Sequence, residues 1–107
     1  MKRYDIHWAR LDPVEGSELA KTRPVVIVSL DVLNARLQTV TACPLTSQIH
    51  AQWRSRLQVQ CAGQAAEIAV DQIWTLSKSR IGKRISTLAA ADVAALQRLI
   101  TEMYGEG

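Results

Sequence analysis

The chain reads as a mainly β domain, an antiparallel barrel-like or half-open sheet packed by one C-terminal helix. Three observations predict this class. Short apolar or alternating runs recur between polar loops, from Asp5–Leu11 through Arg56–Cys61. Helical periodicity is confined to Ala89–Tyr104, and 107 residues suffice for a single domain, taken here as 1–107. Several short strands followed by one terminal helix make such a layered fold.

Each element has its own signal. Asp5–Leu11 sets Ile6, Trp8 and Arg10 against His7, Ala9 and Leu11, the period of a strand with one well-buried face; His7 is expected on its solvated side. Asp12–Thr22 is a polar loop opened by Asp12-Pro13, with Gly16 at its middle. Pro24 stands at the start of the next strand, where its missing N–H is tolerated. Val25–Val28, apolar at every position and β-branched, predicts a central strand covered on both faces.

Leu30–Arg36 reads as a connection with one helical turn, and Gln38–Cys43 as a strand stopped by Pro44. A polar loop, Leu45–Ser55, follows; its Trp53 would stack on a base or fold back over the core edge. Arg56–Cys61 alternates cleanly, with Gly63 as the turn residue after it, and Ala66–Ile73 is a further strand carrying Asp71-Gln72. Ser77–Arg84 is expected as a basic loop and Ile85–Leu88 as the last strand. In the helix, Val93, Leu96, Leu99, Ile100 and Met103 form one stripe, Thr87 is the nearest N-cap residue, and Gly105 fits the C′ position.

Composition bounds the function. With 48% hydrophobic and 21% charged residues the chain is an ordinary globular domain, which excludes global disorder. A net charge of +3 agrees in sign with a polyanionic partner without establishing one. Arg54, Arg56, Lys78, Arg80, Lys83 and Arg84 face only Glu67 and Asp71 in their section, which reads as a solvated basic surface. No signal-peptide core follows Met1-Lys2-Arg3-Tyr4 and no run is long enough to span a bilayer, so a cytoplasmic protein without a membrane is expected. Cys43 and Cys61 lack metal or disulfide-framework spacing and are expected as half-buried free thiols.

Metal-ligand spacings, phosphate-binding glycine loops and nucleophile elbows are all missing from the sequence, and no cofactor is expected. What remains concentrated is Arg23 with Thr46 and Ser47, a guanidinium fork and two hydroxyls suited to a phosphate. Such donors serve best on a transition state that gathers charge. From the residues alone, Arg23 as a strand-edge charge and Thr46 as a turn residue is an equal reading.

The ordered set Asp5-Ile6-His7-Trp8, Leu11-Asp12-Pro13, Gly16-Ser17-Glu18, Arg23-Pro24-Val25-Val26-Ile27-Val28-Ser29, Cys43-Pro44-Leu45-Thr46-Ser47, Val70-Asp71-Gln72-Ile73 and Lys78-Ser79-Arg80-Ile81-Gly82 resembles the MazF/PemK-type toxins of bacterial toxin–antitoxin systems. The resemblance covers nearly the whole chain. It implies an SH3-like, CcdB/PemK-like small barrel, a homodimer, and a metal-independent endoribonuclease that cuts single-stranded RNA, often mRNA, at short sequences until a cognate antitoxin blocks it. It implies Arg23 and Thr46 as the catalytic pair, acting while the ribose 2′-OH attacks its own phosphate. Ser17, Glu18, Ser47, Gln48, Trp53, Asp71, Gln72, Lys78 and Arg80 are the RNA-binding candidates. Glu18, Asp71 and His7 are candidate proton carriers.

Three positions depart from the family pattern. Gln48 stands where a Lys often follows Thr-Ser, Trp74 where an Arg commonly follows Asp-Gln-Ile, and Ser17 where some members carry a His. Two other functions compete. A CcdB-type gyrase poison shares the fold, but that group resembles chains ending in Trp-Gly-Ile, and this one ends Tyr104-Gly105-Glu106-Gly107. An inactive barrel kept as an antitoxin-binding module would account for Gln48 and Trp74.

Overall fold

A computed structural model of the chain describes residues 1–11 and 22–105. In order they form β1 (Asp5–Arg10), β2 (Thr22–Ile27), α1 (Asp31–Arg36), β3 (Thr39–Thr46), β4 (Arg56–Cys61), β5 (Gln64–Ala69), β6 (Trp74–Ser77), β7 (Ile81–Thr87) and α2 (Ala90–Tyr104), with 3-10 turns at Val70–Gln72 and Lys78–Arg80. The strands build one antiparallel sheet in the order β4-β5-β3-β2-β1-β7, with β6 also on β3. The path has open ends, so the mainly β, half-open reading with a C-terminal helix holds. The loop expected at Asp12–Thr22 lies outside the described residues except for Thr22, which already belongs to β2.

β3 is the hub of the sheet. It pairs β2 through Val25↔Pro44 to Ile27↔Ala42, β6 through Thr39↔Ser77 to Ala42↔Trp74, and β5 through Leu45↔Ile68 and Thr46↔Glu67. The expected stop at Pro44 is therefore wrong. Pro44 sits after the last pair with β6 and before the first with β5, where a missing N–H costs the ladder least. The strand continues, and Thr46 becomes a strand-end residue.

The β-branched run behaves as its sequence demands. Val25 and Ile27 join a cluster with Ala9, Val40, Ala42 and Leu76 on one face; Val26 and Val28 join Ile6, Cys43, Leu45, Ile68, Val70 and Leu96 on the other. Alternate residues of a strand point to opposite faces, so a run apolar throughout fits a strand covered on both sides. Cys43 is thus fully buried, not half-buried as expected, while Cys61 is intermediate; both thiols are free. Val93, Leu99, Ile100 and Met103 carry α2 onto the second cluster, as the stripe predicts. Tyr104 fixes the far end of α2 by donating from its hydroxyl to the Val70 carbonyl at 2.7 Å.

Local punctuation explains the remaining differences. Ala62 (φ 52°) and Gly63 (φ 81°) form the two-residue turn between β4 and β5, both in the left-handed region that tight hairpins require. Gly105 does not take the left-handed C′ conformation; its φ is −77°, and glycine is needed because a Cβ would lie 2.5 Å from the Thr101 carbonyl oxygen. Thr87 does not cap α2. Its hydroxyl donates to Asp5 at 2.9 Å, and Ala89 stands at the N-cap with no side-chain bond.

Asp71 and Gln72 lie on a 3-10 turn, not on the strand, which ends at Ala69. β6 has no counterpart in the sequence reading, and β7 starts four residues before the expected Ile85. His7 is buried, not solvated, with Ile6 and Ala9 buried beside it, while Trp8 is exposed. Among the described residues no helix is long and apolar enough to cross a membrane.

Candidate active site

Thr46 is delivered to the sheet edge by β3, and β2 brings Arg23 to the same place. The β2–β3 ladder ends at Val25↔Pro44, two residues short of both Arg23 and Thr46; beyond it Thr46 faces Glu67 of β5, and Glu67 faces Gln58 of β4. Directly opposed residues share a face of an antiparallel sheet. One cross-strand row thus runs Thr46, Glu67, Gln58.

A cleft of about 820 Å³ opens over the start of this row. Arg23, Thr46, Ser47, Gln48 and Gln72 line it, as do Trp74, His50 and Arg56. The Thr46 hydroxyl accepts from the Gln48 backbone N–H at 3.1 Å, which orients its lone pairs and leaves its proton available. Arg23 is exposed and makes no ion pair among the described residues. A guanidinium across from a hydroxyl is a fitting receptor for a phosphodiester.

Beneath the cleft lies a carboxylate that the sequence reading counted only as a charge. Glu67 is 0% exposed and accepts four hydrogen bonds: from the His50 backbone N–H (2.6 Å), Gln58 Nε2 (2.8 Å), Arg56 Nη1 (2.8 Å) and His50 Nδ1 (3.1 Å). Burial alone would raise its pKa. The donors outweigh burial, the His50 N–H foremost, and hold it down at about 2. Arg56 also reaches Asp71 from Nε at 2.8 Å, and that bond, against desolvation, pushes the guanidinium pKa up.

The basic section is therefore not simply a solvated surface. The Arg56 side chain is 6% exposed and bound to two carboxylates, and Arg54 pairs with Glu102. His50 stacks on Trp53 with centroids 4.0 Å apart, and the Arg56 guanidinium lies 4.7 Å from the Trp53 ring centroid. Arg56 Nη1 and His50 Nδ1 are 3.3 Å apart, so both groups sit on the same face of the indole. The other face belongs to a side chain that is 51% exposed.

The remaining candidates are placed elsewhere. Asp71 is held by Arg56 and does not line the cleft; partial burial would raise its pKa, but the guanidinium bond overcomes this and lowers it. Trp53, Lys78 and Arg80 also fall outside the lining, the last two on the turn before β7, where Arg80 donates to the Arg10 carbonyl at 3.2 Å. Ser17 and Glu18 lie outside the described residues. His7, offered as a proton carrier, donates from Nδ1 to the Gly82 carbonyl at 2.9 Å, and its buried Nε2 has no partner among the described residues. It is not part of the cleft.

Among the described residues no cluster of His, Cys, Asp and Glu could hold a metal ion. His50, Arg56 and Glu67 are the site residues that sequence reasoning missed. One signal was available: Glu67 interrupts the run Ala65-Ala66-Glu67-Ile68-Ala69, and a charge in an otherwise apolar strand requires a partner.

Fold and cleft together define a small curled β domain with a guanidinium and hydroxyls lining one open cleft. Residues 2–104 match the family described as the PemK-like, MazF-like toxin of type II toxin–antitoxin systems, and the chain belongs to that family. It is 32% identical over 94 residues to the endoribonuclease MazF of Staphylococcus saprophyticus, covering 83% of this chain and 78% of that protein. It is 31% identical over 93 residues to endoribonuclease EndoA of Bacillus subtilis, covering 82% and 80%. Its fold is similar to that of a mycobacterial endoribonuclease in complex with its cognate antitoxin, with a TM-score of 0.83 at 16% identity over 100% of this chain and 97% of that one.

Proposed function

We propose that this chain is a metal-independent, sequence-specific endoribonuclease toxin that cleaves single-stranded RNA, mRNA included, and is silenced by a cognate antitoxin. The observation that carries the reading is Arg23, without an ion pair among the described residues, lining one open cleft together with Thr46. Family membership and the endoribonuclease names of its relatives support the same activity.

In the proposed reaction the ribose 2′-oxygen attacks the adjacent phosphorus, the bond to the 5′-oxygen breaks, and the products are a 2′,3′-cyclic phosphate and a 5′-hydroxyl. A 2′-OH requirement makes RNA the substrate and DNA inert. The Arg23 guanidinium clamps the phosphate and stabilises its developing charge, while the Thr46 hydroxyl donates to a non-bridging oxygen. Gln48, Ser47 and Gln72 line the cleft and read or position the RNA, and the open face of Trp53 stacks a base.

The toxin works as a cytoplasmic homodimer of one-domain chains in this reading. Leu30, Val32, Leu33 and Leu37, exposed on and around α1, supply apolar surface for a second copy. The test is incubation with a long RNA in EDTA and mapping of the ends. Cuts at a short motif with 2′,3′-cyclic phosphate ends are expected; Arg23→Ala and Thr46→Ala each lower the rate by about 10²–10³. Intact RNA in the presence of well-folded protein would sink the reading.

A further inference from the structure

His50 has the surroundings of a general base and no role in the pairing of Arg23 with Thr46. It lines the same cleft. Its backbone N–H and its Nδ1 both meet Glu67, at 2.6 and 3.1 Å, so loop and ring are fixed by one buried carboxylate. Stacking on Trp53 at 4.0 Å fixes the ring plane.

The tautomer follows from the partners. An ionised carboxylate 3.1 Å from Nδ1 requires a proton on that nitrogen, since two lone pairs would otherwise face each other. Arg56 Nη1 also lies within hydrogen-bond distance of Nδ1, at 3.3 Å, but the contact with Glu67 is the shorter and sets Nδ1 against an anion. Nε2, across the ring, then carries the lone pair, and no described residue bonds it. A carboxylate that holds an imidazole in this tautomer also stabilises the imidazolium it becomes.

We infer that His50 is the general base of the cleft, taking the 2′-hydroxyl proton on Nε2, and that Glu67 is its positioning residue. This rests on the ribonuclease reading above. The O2′–P bond forms as the 2′-OH proton passes to Nε2, the P–O5′ bond breaks, and the leaving 5′-oxygen takes a proton from water. Charged groups around the imidazole are Glu67 on β5 and Arg56 on β4. Asp71 acts on the ring only through Arg56, and Arg23 on β2 shares the cleft.

The test is the pH dependence of single-turnover cleavage of a single-stranded RNA oligonucleotide by wild type, His50→Ala, Glu67→Gln and Arg23→Ala, with folding checked by circular dichroism. His50→Ala is expected to lose about 10²–10³ in rate, to lose the acidic limb of the profile, and to recover rate with added imidazole while RNA affinity stays unchanged. In Glu67→Gln the acidic limb moves to lower pH, because the imidazolium loses its counter-charge. His50→Ala that keeps its acidic limb, or cuts within about threefold of wild type while Arg23→Ala is inactive, overturns this inference alone. Wild-type protein that leaves RNA intact overturns it together with the ribonuclease reading.

Discussion

Glu67→Gln keeps the side-chain volume and removes the charge, so it isolates what the carboxylate does for stability. The substituted amide oxygen would still accept from the His50 N–H and from Gln58, the bonds now made to Oε1 at 2.6 and 2.8 Å. The amide nitrogen would replace Oε2 and face two donors, Arg56 Nη1 and His50 Nδ1. Removing one partner of a buried ion pair costs about 3–5 kcal/mol. Arg56 keeps its 2.8 Å bond to Asp71, which argues for the lower end, about 3 kcal/mol.

For a chain of this length that is a fall of about 12 °C in Tm, at about 4 °C per kcal/mol. Thermal unfolding at fixed protein concentration, together with urea unfolding at unchanged slope, measures it. A second signature lies in acid. Glu67 is held below its ordinary 4.5, at about 2, so its stabilisation is complete above pH 4.5 and is lost as pH falls through 2. Glu67→Gln should flatten the stability curve across that window. A variant melting within about 2 °C of wild type, with the same acid limb, would refute the account of Glu67 as the anchor of this cluster.

Two further outcomes follow from the same structure. Trp53→Ala should weaken single-stranded RNA binding by about 1–3 kcal/mol in a salt-controlled titration, the usual worth of one base stacked on an aromatic ring; unchanged affinity would show that the open face of Trp53 holds no base. The Cys43 thiol, pushed up to about 12 by burial and then by the nearby negative charge of Asp71, should resist alkylation at about pH 8, near the ordinary thiol pKa, until the protein unfolds. Mass spectrometry of native and denatured samples reads this directly.

Much of the scaffold was legible because its signals are periodic. Val25–Val28 demanded two covered faces, Leu57 and Val59 alternate with polar neighbours on β4, and the α2 stripe returns every three or four residues. Where sequence reading failed, position overruled local preference. Pro44 breaks strands in general, yet here it falls at the change of partners along β3. Lys83 and Arg84 suggested a loop, but β7 is an edge strand and their exposure costs nothing there.

Arg23, Thr46, Ser47, Gln48 and Gln72 line one cleft because pairings between distant segments bring them together. The Glu67 cluster was hidden for a different reason. Its members, His50, Arg56, Gln58 and Glu67, carry no motif, and each looks like surface until β4 and β5 pair and the loop folds back over them.

The ladder between β1 and β7 has a consequence for how the protein is made. Asp5 pairs with Thr87, and β1 is the only link between β2 and β7 in the order of the described sheet. During synthesis the first strand therefore waits, with one edge open, until β7 has left the ribosome, and contacts so distant in sequence form slowly. Thr46 in turn needs Glu67 beside it. In a nascent chain the cleft is thus incomplete until β5, Gln72 and Trp74 have followed β3 out of the ribosome.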